Sequence, residues 1–153
     1  MMVLEMAIKS CLFLIAGAIL LKAAAHDLAT RTVPNIYPYG LLLIALAHHW
    51  LLRADVFPYL AGLLIAVPFL AAFYMGKLGG ADAKMVIALS LFLGLEGGLL
   101  AIMAALLLAA IREAARKKGE NESPGYAFVP YLLFGYAIAA VPAMINAAFK
   151  LKG

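Results

Sequence analysis

One cysteine, one tryptophan and few charges define this chain by absence: Asp, Glu, Lys and Arg make up only 13% of its 153 residues. Soluble domains carry about 25% charged residues, so an ordinary water-soluble fold is excluded, and so is a disordered chain. The lone Cys11 can form neither an intrachain disulfide nor a cysteine zinc site. No basic stripe interleaved with aromatics accompanies the net charge of +4, which removes nucleic acid as an expected partner. What the chain does have is apolar sequence. It is 67% hydrophobic, with a mean hydropathy of +1.02, and apolar runs recur from end to end. An all-α, polytopic membrane protein follows, a single domain over residues 1–153 set in a lipid bilayer.

About six transmembrane helices are expected from the apolar runs: Leu4–Ala25, Tyr39–Leu52, Phe57–Met75, Ala83–Leu95, Gly98–Ala115 and Val129–Phe149. The connections then alternate between two sides. Lys22, Arg31, Lys77, Lys84, Arg112, Arg116, Lys117 and Lys118 fall on one, against Lys9, Arg53, Lys150 and Lys152 on the other. This bias predicts that the first group faces the cytoplasm and that both termini lie outside. A secretory signal over Cys11–Leu21, cut after Ala23-Ala24-Ala25, is the rival reading. It is disfavoured because Glu5 and Lys9 leave the preceding segment without net positive charge.

Of eight acidic residues, six have bland placements. Glu5 is near the N-terminus, Asp55 and Glu96 are in short outer connections, and Glu113, Glu120 and Glu122 belong to the mixed-charge segment Arg112–Glu122, expected as a solvated loop. Asp27 and Asp82 differ. Asp27 ends the first span, Asp82 opens the fourth, and the topology returns both to the same membrane boundary. Helices one and four need only pack together for the carboxylates to meet. Two neighbouring carboxylates share a proton across neutral pH, so one can act as general base on water while the other protonates a scissile carbonyl. Amide hydrolysis without a metal is the chemistry such a pair supports. Gly79-Gly80 lets the backbone bend before Asp82, which is expected at or near a helix N-cap, with Lys84 placed to hold its charge or a substrate carboxylate. Pro34 and Pro38 make Val33–Tyr37 a non-helical strip after Asp27. On these residues alone, capping and ordinary pairing with Arg31 or Lys22 stay open, as does a proton or ion pathway.

At these positions the sequence resembles the prepilin peptidases, GxGD-type intramembrane aspartyl proteases, and especially the short members that serve Flp-type pili. Gly79-Gly80-Ala81-Asp82-Ala83-Lys84 stands where the family has Gly-x-Gly-Asp-x-Lys, with Ala81 at the second glycine. Asp27, followed by Arg31-Thr32-Val33-Pro34-Asn35, is similar to the family's first aspartate segment, and Phe128-Val129-Pro130 to its proline-containing start of the last span. Archaeal preflagellin peptidases are a close sibling reading. The resemblance implies a membrane aspartyl endopeptidase with Asp27 and Asp82 as its catalytic pair. Its substrates would be type IV prepilin-like precursors carrying a hydrophobic N-terminal helix, from which it removes a short leader at the cytoplasmic face of the cytoplasmic membrane. Arg31, Pro34, Asn35 and Lys84 become candidate substrate contacts. Long members also N-methylate the new terminus and carry paired cysteines; neither feature is expected here.

No cofactor or metal is expected. His48 and His49 lack a third ligand and read, with Trp50, Tyr37, Tyr39 and Tyr59, as an interfacial aromatic belt. His26, beside Asp27, reads as incidental. A small proton-coupled transporter and a structural subunit of a secretion or pilus system are the alternative functions. A transporter would place its acids near the bilayer midplane, and a scaffold would tolerate their replacement.

Overall fold

The structure, a computed structural model, describes residues 2–52, 55–115 and 127–149. Arg53, Arg116, Lys117, Lys118, Glu120, Glu122, Lys150 and Lys152, which entered the expected charge bias and loop, lie outside the described residues. Within them the chain forms five helices and no strand: α1 (Met2–Thr30), α2 (Ile36–Leu52), α3 (Phe57–Tyr74), α4 (Gly80–Ala115) and α5 (Val129–Phe149). Three are long and apolar enough to cross a membrane, namely α1 over Val3–Thr30, α3 and α4; α2 and the apolar part of α5 are shorter.

Six separate crossing helices are not shown, and the difference from the expected count lies at Gly94. The spans expected at Ala83–Leu95 and Gly98–Ala115 are not separated by a loop; both belong to α4, whose Gly94 has φ 75° and ψ −172°. A Cβ on Gly98 would lie 3.3 Å from the Cα of Ser90. In an unbroken helix those positions are separated by about 12 Å along the axis. The helix thus folds back on itself at one glycine, into an arm 80–93 and an arm 95–115. Glycine alone adopts this positive φ without a Cβ clash.

Helix ends also shift from expectation. Helix α1 continues past Ala25 to Thr30, so Asp27 sits within its last turn. There the Arg31 amide donates to the Asp27 carbonyl at 2.9 Å, and Arg31 takes φ 55°. This is the left-handed stop that usually falls to glycine. Helix α2 begins at Ile36, before the expected Tyr39, because Pro38 fits a first helical turn, where no amide is needed. The non-helical strip is accordingly residues 31–35. Helix α3 opens on Phe57-Pro58 and ends in a Schellman turn: Gly76, at φ 69°, donates to Phe73 and Lys77 donates to Ala72, each at 2.9 Å.

Helix α4 packs on α2, α3 and α5, whereas α1 packs on α2 and α5. The backbones of α1 and α4 are not neighbours, and the packing expected of these two helices is made by side chains. They meet diagonally through large side chains. The rings of Phe13 and Phe92 lie 4.8 Å apart, with Tyr136 stacked beside Phe13. The arm 80–93 carries the centre of the core, burying Met85, Val86, Leu89 and Phe92. Close helix approach is bought with small residues. Gly135 of α5 crosses Ala101 so tightly that a Cβ there would run into the Ala101 carbonyl. Leu14, Leu43, Leu64, Val67, Leu107 and Phe134 instead point outward, as side chains solvated by lipid do.

Candidate active site

Asp27 is buried, with 5% of its surface exposed. Its Oδ2 accepts a hydrogen bond from the Val129 amide at 3.1 Å, across 102 positions of sequence. The Phe128 backbone supplies a second, and the charge of Arg31 acts on the same carboxylate. Phe128 and Val129 open α5, as the bonds from the Tyr131 and Leu132 amides back to the Phe128 carbonyl show. The first amides of a helix have no intrahelical acceptor. Asp27 therefore caps α5 from α1. Pro130 follows at a position where its missing amide costs nothing.

Asp82 lies in the first turn of α4, one turn after Gly79, whose carbonyl accepts from the Ala83 amide at 3.3 Å. It is thus inside the helix start, with Gly79 in the capping position. Its Oδ2 folds back to within 3.1 Å of where a Gly79 Cβ would stand, which is a steric reason for glycine at that place. Gly80 is constrained too, since a Cβ there would meet the Phe73 ring at 2.9 Å. Ala81, at the motif's second glycine, is helical and needs no positive φ; its methyl is compatible with this backbone. Among the described residues no hydrogen-bond donor reaches the Asp82 carboxylate, while the charge of Asp27 does act on it. The two acids thus stand at one end of the bundle, within electrostatic reach.

The other sequence candidates divide. Lys84 does not hold Asp82: its Nζ donates to Asn35 Oδ1 at 2.9 Å and sits 6.0 Å from the Tyr39 ring centre. Asn35 and Lys84 together tie the 31–35 connection to α4. Pro34 and Arg31 are exposed on that connection. His26, read as incidental, shapes the same turn. Its Nδ1 lies 2.9 Å from the Thr32 carbonyl and 2.8 Å from Thr30 Oγ1, and Thr30 and Thr32 hydroxyls meet at 2.9 Å. Composition could not have pointed to this cluster, because its bonds exist only once Arg31 reverses the chain.

At the opposite end Trp50 is exposed, whereas His48, expected beside it in an exposed aromatic belt, is buried. His48 is 2% exposed, enclosed by Phe13, Phe92 and Tyr59, with neither ring nitrogen hydrogen-bonded. His49 Nε2 lies 3.2 Å from the Leu91 carbonyl. A cavity of about 570 Å³ opens nearby, lined by Asp55, Tyr59, Gly94 and Glu96 among others. Among the described residues no cluster of three metal-ligating side chains occurs.

The profile of the type IV leader peptidase family matches residues 13–112. That stretch contains both aspartates, the 31–35 connection and the Gly79–Lys84 motif. It ends before Phe128 and Val129, so the hold of α5 on Asp27 is read from the structure alone. No curated protein and no solved structure matches the chain significantly.

Proposed function

Because the chain belongs to the type IV leader peptidase family, we propose that it is an aspartyl endopeptidase that removes short leaders from Flp-type prepilin-like precursors, with Asp27 and Asp82 as the catalytic pair. The observation that carries this reading is the approach of two carboxylates, from helices whose backbones are not neighbours, at one end of an apolar bundle. One carboxylate takes a proton from water as the oxygen attacks the scissile carbonyl carbon. The other gives its proton to the carbonyl oxygen, and a gem-diol forms. The placement of the acids at helix ends favours a protease over a transporter, whose acids would sit near the bilayer midplane. It also suits a substrate cut just before its hydrophobic helix, since that bond would lie at the membrane boundary. The basic residues Lys22, Arg31, Lys77, Lys84 and Arg112 favour the cytoplasmic face for this end.

The test is cleavage of a Flp-type prepilin by the purified protein in liposomes. Wild type is run beside Asp27→Asn and Asp82→Asn, each checked for folding by thermal melt. Trimming by wild type, with a loss of at least about 10²-fold in both folded variants, is expected. Cleavage that persists in either variant would remove the aspartate pair from the chemistry.

A further inference from the structure

Resting on the peptidase reading above, we propose that the two aspartates have fixed and unequal roles, set by α5. Asp27, clamped by the opening amides of α5, is the ionised member that takes the proton from water, and Asp82 is the member that holds a proton and donates it to the substrate carbonyl.

The groups around each carboxylate differ in kind. Asp27 receives the Val129 amide at 3.1 Å and a Phe128 backbone bond, with Arg31 and His26 acting on it from α1. Directed N–H donors and the positive end of a helix stabilise a carboxylate and offer nothing comparable to a neutral acid. Among the described residues, Asp82 on α4 is the acidic group that senses its charge. That residue also sits at a helix start, yet among the described residues no donor is aimed at its carboxylate. Of the two, among the described residues, only Asp27 has directed N–H bonds that hold a carboxylate. The pair's shared proton therefore resides on Asp82.

The cycle closes with these assignments. In the first step Asp27 gains the proton of water, the hydroxyl oxygen bonds to the carbonyl carbon, and Asp82 yields its proton to the carbonyl oxygen. In the second, Asp82 recovers a proton from one gem-diol hydroxyl as C=O re-forms. Asp27 gives its proton to the amide nitrogen as the C–N bond breaks. Both carboxyls return to their starting states, and no co-reactant beyond water is consumed. Val129 and Phe128 act through Asp27 and are positioning residues.

Val129→Pro is the discriminating variant. It deletes the amide hydrogen at the first position of a helix, where proline is otherwise favoured, while Val129→Ala keeps that hydrogen. The pH profile of kcat/KM for prepilin cleavage is measured for both. With Val129→Pro the acidic limb, which reports ionisation of the base, is expected to move up by about one pH unit, the effect of losing one charge-assisted bond. Val129→Ala is expected to leave it in place. A folded Val129→Pro protein with an unmoved limb would overturn the assignment. The order of ionisation is also read directly in the wild-type protein, by NMR of ¹³C-carboxyl-labelled aspartate with signals assigned through Asp27→Asn and Asp82→Asn. Asp27 ionising first supports the assignment, and Asp82 ionising first refutes it, whether or not Val129→Pro folds. Failure of wild type to cleave any prepilin would count against the peptidase reading alone, because the NMR order is independent of substrate.

Discussion

Lys84 Nζ reaches away from the carboxylate two residues before it and donates to Asn35 Oδ1 at 2.9 Å. The basic residue of the Gly79–Lys84 motif thus fastens the connection that follows Asp27 to the helix that carries Asp82, and so sets the two aspartate segments relative to each other.

If that bond is a tether, its ends are interchangeable in effect. Lys84→Met and Asn35→Ala should lower kcat/KM by similar factors, with the double variant costing no more than either single one. Both residues are exposed, so the stability coupling in a double-mutant cycle should be small, about 0.5–1 kcal/mol. Denaturation in detergent micelles and cleavage rates on the same four proteins check it. Additive losses of activity would instead make Lys84 a separate substrate contact.

Two glycines should separate activity from stability. A methyl at Gly79 would stand 3.1 Å from Asp82 Oδ2 and push the carboxylate rather than the backbone. Gly79→Ala should therefore cut cleavage on the order of tenfold while barely moving Tm. A methyl at Gly135 meets the Ala101 carbonyl, which is backbone and cannot yield. Gly135→Ala should destabilise by about 3 kcal/mol through forced separation of α5 from α4. Thermal melts beside initial cleavage rates distinguish the two.

His48 is a buried imidazole without hydrogen bonds, lodged among aromatic rings at the end remote from the aspartates. A buried polar group without a partner is destabilising, and an apolar replacement of similar shape removes the penalty. His48→Phe should keep or raise Tm, by up to about 2 kcal/mol in stability, with prepilin cleavage within about twofold of wild type, since surface and core changes away from the chemistry act mainly on stability. A marked loss of activity would give the histidine a role that its surroundings do not explain.

The helical, membrane-embedded character was legible because hydropathy is a local property: each apolar run carries its own signal. That Asp27 and Asp82 come to one end of the bundle was legible for a related reason, since alternating helices return alternate ends to one side. Ends of helices were less so. Arg31 reverses the chain where glycine would be the expected residue, and Pro38 reads as a breaker although it is at home in a first turn. Gly94 was hidden among three glycines within five residues, Gly94, Gly97 and Gly98, and nothing local says which one turns the chain.

By itself, then, the sequence determined an all-helical membrane chain, the two acids and the glycines before Asp82, all of which follow from composition and order along the chain. Only the tertiary structure decided what surrounds those acids. The amides that hold Asp27 lie 102 positions away, and Lys84 finds Asn35 rather than its near neighbour Asp82. Directed hydrogen bonds form over about 3 Å, a precision that hydropathy and spacing do not carry and that helix packing supplies.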